Sequence, residues 1–127
     1  MAKTAKDLTS DDMEQYRNFL KEKEEKEKMD LQQRYYKAWD IARKAAKILY
    51  DKYCAKKVFV FGSLTNPEKF TKWSDIDLAV WGIPDDFFYK AVAEMISLNS
   101  EIKIDLVDPE ECGDDLKKAI EREGLKI

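Results

Sequence analysis

The chain has 127 residues, enough for one domain of the usual ~100–200, with 44% apolar residues to build a core and a charged fraction of 39%, well above the ~25% of an ordinary soluble protein. There is no histidine, and the two cysteines, Cys54 and Cys112, form no CxxC pair. Zinc sites of the usual kinds and hydrolases built on serine–histidine or cysteine–histidine pairs are thereby excluded. The net charge of −3 is uneven, +4 over residues 1–57 and −7 over 58–127; the acidic half lacks the footprint of a general nucleic-acid binder and suits a cation site better.

The opening MAKTAKDLTS has no apolar h-region, and no stretch approaches the roughly 20 apolar residues of a membrane helix, so a cytoplasmic protein without a membrane partner is expected. The first 61 residues contain neither glycine nor proline and are rich in Lys, Glu, Gln, Leu and Ala, a strongly helical composition. Thr9 or Ser10, with Asp11 and Asp12, supplies an N-cap and an acidic first turn. The run KEKEEKEK at 21–28 reads as a solvated helix with i,i+4 pairing, and Asp30 to Gln33 could cap a fresh helix. Residues 10–53 are therefore one long helix or two with a break near Asp30. Leu31, Tyr35, Ala38, Ala42, Ala45 and Leu49 recur at steps of four and three, an apolar stripe that Trp39, Ile41 and Ile48 widen. It predicts a helix packed on a sheet or on another chain.

From Lys57 the pattern changes. Residues 58–61, 76–81 and 102–107 read as strands that stop at Gly62, Gly82 and Pro109. Residues 85–98 read as a helix entered just after Pro84, with Phe88, Val92, Met95 and Ile96 inward and Asp85 and Asp86 compensating its dipole. Residues 116–122 form a last helix stopped by Gly124, and 125–127 a short terminal strand. The chain divides into an N-terminal helical extension, 1–56, and a compact domain, 57–127.

Asp75 and Asp77 stand two apart at a strand entry, so alternation puts both on one face with Cα atoms about 6–7 Å apart, while Ile76, Leu78 and Val80 take the other. In the third strand Asp105 points away from Ile102, Ile104 and Leu106. If the two strands are neighbours, three carboxylates meet. They raise one another's pKa unless a cation neutralises them, and oxygen-only ligands suit magnesium, one ion or two. Gly62-Ser63 closes the first strand; glycine lets a phosphate approach the backbone, and the hydroxyl and following N–H groups could receive it. No GK[ST] P-loop or GxGxxG exists, and an EF-hand fails because Ala79 stands at a ligand position and Val80 at the glycine. Asp108, before Pro109, reads as a turn residue. Trp73 could stack on a base but reads better as a packing residue, and Ser74 could brace the turn.

The ordered set of Gly-Ser (62–63), a spacer, Ser-Asp-Ile-Asp-Leu (74–78) and Ile-Asp-Leu-Val (104–107) resembles the minimal nucleotidyltransferase family of the β-type DNA polymerase superfamily, over about residues 58–127. The resemblance implies an α/β (α+β) nucleotidyltransferase fold, a small mixed sheet with helices packed on one face, here with a long N-terminal helical extension. It implies Asp75, Asp77 and Asp105 as magnesium ligands and catalytic residues, Asp105 also helping to deprotonate the attacking hydroxyl, and Gly62 and Ser63 as the triphosphate turn, with Ser74 and Lys72 as further nucleotide-binding candidates. The spacer, 64–74, is one residue longer than usual in the family, and no arginine follows Gly-Ser before Asp75; Lys69 and Lys72 supply positive charge there.

Small single-domain members often act as antitoxins beside a HEPN-type toxin and resemble enzymes that AMPylate a toxin tyrosine. The expectation is transfer of AMP from ATP to a hydroxyl of such a partner. A non-catalytic antitoxin that masks its toxin and a stand-alone small-molecule adenylyltransferase are the alternatives. The N-terminal helices would dock that partner or a second copy of the chain.

Overall fold

The computed structural model describes residues 9–127. They fall into two compact units, one ending at Gln33 and one running from Arg34 to Ile127. Helix α1 is continuous from Ser10 to Tyr53, so the cap signal near Asp30 is overridden. Its N-cap is Thr9: the Thr9 hydroxyl accepts from the Asp12 N–H and the Asp12 carboxylate accepts from the Thr9 N–H, both at 3.1 Å, a reciprocal capping box. From Ser10 to Gln33 every residue is exposed except Asp12 and Leu31, which are half-buried.

The second unit starts with the last five turns of α1. Ala38, Ile41, Ala42, Ala45, Ala46, Leu49 and Tyr53 are buried, the helical stripe read from the sequence, while Tyr35, Trp39 and Ile48 are half-buried at its margins. The sheet follows: β1 Lys57–Phe61, β2 Ile76–Trp81, β3 Ile104–Val107 and β4 Leu125–Lys126, with α2 Asp85–Leu98 and α3 Asp114–Glu123 between the later strands. Strand order is β3-β2-β1-β4; β1 is antiparallel to β2 and β4, and β2 is parallel to β3 through the α2 crossover. The expected mixed sheet with its helices is what the chain forms.

One face of the sheet is dry: Val58, Val60, Ile76, Leu78, Val80 and Ile104 are at most 2% exposed. Fully burying one such side chain is worth about 1.5–3 kcal/mol. Pairing puts Phe61 opposite Asp77, Phe59 opposite Ala79 and Lys57 opposite Trp81, so these share the other face. There α3 refines the expectation of helices on one face. Its Ile120 packs with Phe61 and Ala79, flanked by Phe59, Trp81 and Val107. The far end of this face is thus covered, and the end bearing Asp77 is left open.

The Tyr50 hydroxyl joins the helix to β1 and to the residue after β4, accepting from the Val58 N–H at 2.9 Å and donating to the Ile127 carbonyl at 2.8 Å. Helices α1 and α2 are linked by Tyr53 and Lys52, which both bond the Glu94 carboxylate. In α2 the fully buried residues are Ala91 and Met95; Phe88 and Val92 are half-buried, and Ile96, expected inward, is 56% exposed. Ile96 lies at the edge of the apolar arc centred on Ala91 and Met95.

Candidate active site at the open end of the sheet

Glycine 62 sets the first half of the site. Its φ of +74° turns the chain out of β1 into a single 3-10 turn, Gly62–Thr65. Any side chain there would be strained by the backbone, and a Cβ would meet the Asp77 carboxylate oxygen at 2.4 Å. The turn is closed by the Thr65 hydroxyl donating to the Gly62 carbonyl at 2.7 Å and the Asn66 N–H donating to the Ser63 carbonyl at 3.1 Å. Gly62, Ser63, Thr65, Asn66, Lys69 and Glu123 line a cleft of about 510 Å³ beside it.

The carboxylates come from the two parallel strands. Asp77 and Asp105 are direct partners in the β2–β3 register, so their side chains share a face on neighbouring strands about 4.8 Å apart. Asp75 lies two residues before Asp77, just outside the strand, half-buried like the other two. Burial, then the charges of Asp105 and Asp75, push the Asp77 carboxyl from 3.8 up to about 6, and Lys103 opposes the rise. Lys103 belongs to the site although sequence reading passed over it. Its ammonium pairs with Asp105 at 3.2 Å, and the alternation in Ile-Lys-Ile-Asp, 102–105, is the signal that would have placed it beside Asp105.

Among the described residues, no three Asp, Glu or Cys side chains converge closely enough to hold a metal ion as they stand. The donor chemistry nevertheless fits a hard cation: three half-buried carboxylates at one sheet end, with the proton affinity of Asp77 raised by burial and then by the other two. For Asp105 to join such a set it must exchange Lys103 for the ion.

The other candidates separate. Lys69 lines the Gly62–Ser63 cleft, whereas Lys72 lines a second cleft, of about 530 Å³, with Asp75, Trp73, Lys103 and Arg34. The Ser74 hydroxyl accepts the Thr71 N–H at 2.9 Å, and the Trp73 N–H donates to Thr71 Oγ1 at 3.2 Å, so Ser74 braces the turn before Asp75. Trp73, read as a packing residue, is 80% exposed because it sits at the tip of that turn. Arg34 of α1 donates from Nη2 to the Ser74 carbonyl at 3.0 Å; forty residues of separation gave the sequence no sign of it. Asp108 is the expected turn residue, accepting the Glu110 N–H at 3.0 Å. A third cleft, about 540 Å³, between α2 and the end of β3 contains none of the three aspartates.

Comparison with known proteins speaks to the family and the fold. The "Putative protein adenylyltransferase MJ0128" of Methanocaldococcus jannaschii is 40% identical over 70 residues, 54% of this chain and 70% of that protein. A crystal structure of the toxin–antitoxin pair MntA–HpeT with a tyrosine-to-alanine substitution superposes with a TM-score of 0.53 at 24% identity, covering 67% of this chain and 69% of that one. A toxin–antitoxin crystal structure with AMP-PNP gives 0.52 at 24% identity, covering 67% and 70%. At that identity the two structures speak for the fold. The family model described as "Polymerase beta, Nucleotidyltransferase" matches residues 43–127, two thirds of the sequence, and the chain belongs to that nucleotidyltransferase family.

Proposed function

We propose that this nucleotidyltransferase transfers AMP from ATP to a hydroxyl of a partner protein, a tyrosine of a HEPN-type toxin, and so acts as a cytoplasmic antitoxin. The observation that carries the reading is the Asp77–Asp105 register pair, with Asp75 beside it, facing the Gly62 turn across the end of one sheet. The adenylyltransferase name of the 40% identical relative and the toxin–antitoxin titles of the structural neighbours support the choice of acceptor. Gly62 and Ser63 would receive the phosphates on backbone N–H groups, with Lys69 in the same cleft and Lys72 and Ser74 on the far side of Asp75. Asp75, Asp77 and Asp105 would hold one or two magnesium ions, whose charge neutralises the phosphoryl oxygens during an in-line displacement. Asp105 takes the acceptor proton. Incubation with labelled ATP, magnesium and the cellular partner should label the partner and Asp77→Ala should not; absence of label, or label unchanged by Asp77→Ala, refutes the reading.

A second reading, neutralisation by masking, draws on the first unit. Met13, Tyr16, Phe19 and Met29 are 50–61% exposed on a helix that has no fully buried residue before Ala38. Such a surface suits docking of a toxin or of a second copy of the chain. Full protection of cells by Asp75→Ala/Asp77→Ala would favour masking; loss of protection favours catalysis. No helix among the described residues is long and apolar enough to cross a membrane.

A further inference from the structure

The second cleft has no assigned role, and its position suggests one. The Gly62–Ser63 cleft lies on the β1 side of the aspartates, and the cleft lined by Arg34, Lys72, Trp73, Asp75, Glu101 and Lys103 lies on the β3 side. Nucleotidyl transfer is an in-line displacement. The acceptor oxygen loses its proton to Asp105 and bonds to the α-phosphorus. The bond from that phosphorus to the bridging oxygen breaks, and pyrophosphate leaves on the opposite side. With the leaving phosphates on the β1 side, the acceptor must approach from the β3 side, through this cleft.

Its chemistry is unlike that of the acidic domain around it. Three cations line it, and of its two carboxylates Glu101 is paired with Lys37. Among the described residues Lys72 pairs with no carboxylate and lies over the Trp73 ring, 5.3 Å from its centroid. The guanidinium of Arg34 spends an Nη2 donor on the Ser74 carbonyl and keeps its Nε buried, and among the described residues it forms no close ion pair, so its remaining N–H groups at the cleft can take an oxyanion. The Trp73 ring, 80% exposed at the rim, offers a flat face to an aromatic side chain.

We infer that this cleft is the acceptor-binding site and takes an acidic, hydroxyl-bearing segment of a protein, its carboxylates held by Arg34 and Lys72 and an aromatic side chain resting on Trp73. The inference rests on the nucleotidyl-transfer reading for its geometry, but its test needs no chemistry. Two synthetic peptides of equal length, each with one tyrosine, flanked by glutamates in one and lysines in the other, are titrated against the full chain by fluorescence anisotropy. The glutamate peptide should bind at least about ten-fold more tightly, the worth of one charge-assisted contact. Lys72→Glu, at an exposed position where folding is not at risk, should abolish the preference; Arg34→Gln should weaken it while its binding of a fluorescent ATP analogue changes less than about two-fold. Equal affinity for the two peptides, or a preference that survives Lys72→Glu, overturns the inference. So does a parallel loss of ATP binding by Arg34→Gln, which would give the cleft to the nucleotide. Because binding is read directly, an enzyme that transferred nothing would still give an answer.

Discussion

Asp77 should make the metal-free protein less stable as pH rises, and the size of the effect follows from its surroundings. Its carboxyl is pushed from 3.8 to about 6, chiefly by burial and then by Asp105 and Asp75. The folded state therefore holds a proton on Asp77 between about pH 4 and pH 6 that the unfolded chain has already released. Where the native state binds more protons, stability falls with rising pH; the loss begins near pH 4 and is complete above about pH 6. A shift of about two units corresponds to roughly 3 kcal/mol at most, at 1.36 kcal/mol per unit. Asp77 is only half-buried, and solvent screening brings the expected cost to about 1–2 kcal/mol. Asp77→Asn, which keeps the shape and removes the charge, should thus be more stable than the natural chain by that amount at pH 7 and about equal to it near pH 4. Urea denaturation from pH 4 to 8, without magnesium, measures both curves. Adding magnesium should raise the stability of the natural chain and leave Asp77→Asn nearly unchanged. Parallel curves for the two proteins across the range, or destabilisation of Asp77→Asn at pH 7, would refute the reasoning.

Other substitutions probe the supports of the site. Gly62→Ala should cost about 1–3 kcal/mol in denaturant unfolding, from a left-handed backbone and a Cβ set 2.4 Å from the Asp77 oxygen, and should abolish nucleotidyl transfer by displacing that carboxylate. Lys103→Ala removes a cation that competes for Asp105, so magnesium should bind about two- to three-fold more tightly by isothermal titration. Tyr50→Phe leaves the Val58 N–H without its acceptor at the start of β1 and should cost about 1–3 kcal/mol in denaturation without altering magnesium affinity. A chain beginning at Leu31 discards no buried residue among those described and should unfold within about 0.5 kcal/mol of the full chain, while binding of the proposed toxin partner, read by pull-down, should weaken if residues 10–30 dock it.

Much of the frame was legible because local rules agreed. An apolar run of β formers defined β1 and alternation defined β2, each closed by a glycine, Pro84 and two aspartates opened α2 at Asp85, and the four-three spacing in α1 marked the face that is now buried. Where tertiary contacts intervene, the reading slipped. The third strand was expected from residue 102, but the Asn99 side chain takes the Glu101 and Ile102 N–H groups at 2.8 and 3.1 Å, so pairing starts at Ile104. The last helix begins two residues early, at Asp114, because Gly113 caps it and accepts the Lys117 N–H. In the site, each aspartate's face was readable from its own strand. That β2 and β3 are neighbours in a register opposing Asp77 to Asp105 was a condition the sequence left open. Arg34 was out of reach, since nothing local ties residue 34 to residue 74.

The same three carboxylates explain why the phosphate side and the β3 side of the site carry different cations. A lysine or arginine within ion-pair range of an aspartate competes with a metal for it, as Lys103 does at Asp105. Gly62 itself leaves no room for a side chain there, since a Cβ would already stand 2.4 Å from the Asp77 carboxylate oxygen. Lys69 lines the cleft beside that turn and, among the described residues, pairs with no aspartate, so on the proposed reading it is free to meet phosphate. Arg34 reaches the sheet end from the helix side and is fixed on a backbone carbonyl, Ser74, one residue before the first aspartate. A guanidinium held there adds positive charge to the β3-side cleft while its nearest donor stays on a neutral partner. On the proposed reading the aspartates are then left to an ion, and nucleotide and acceptor are met by groups on opposite sides of them.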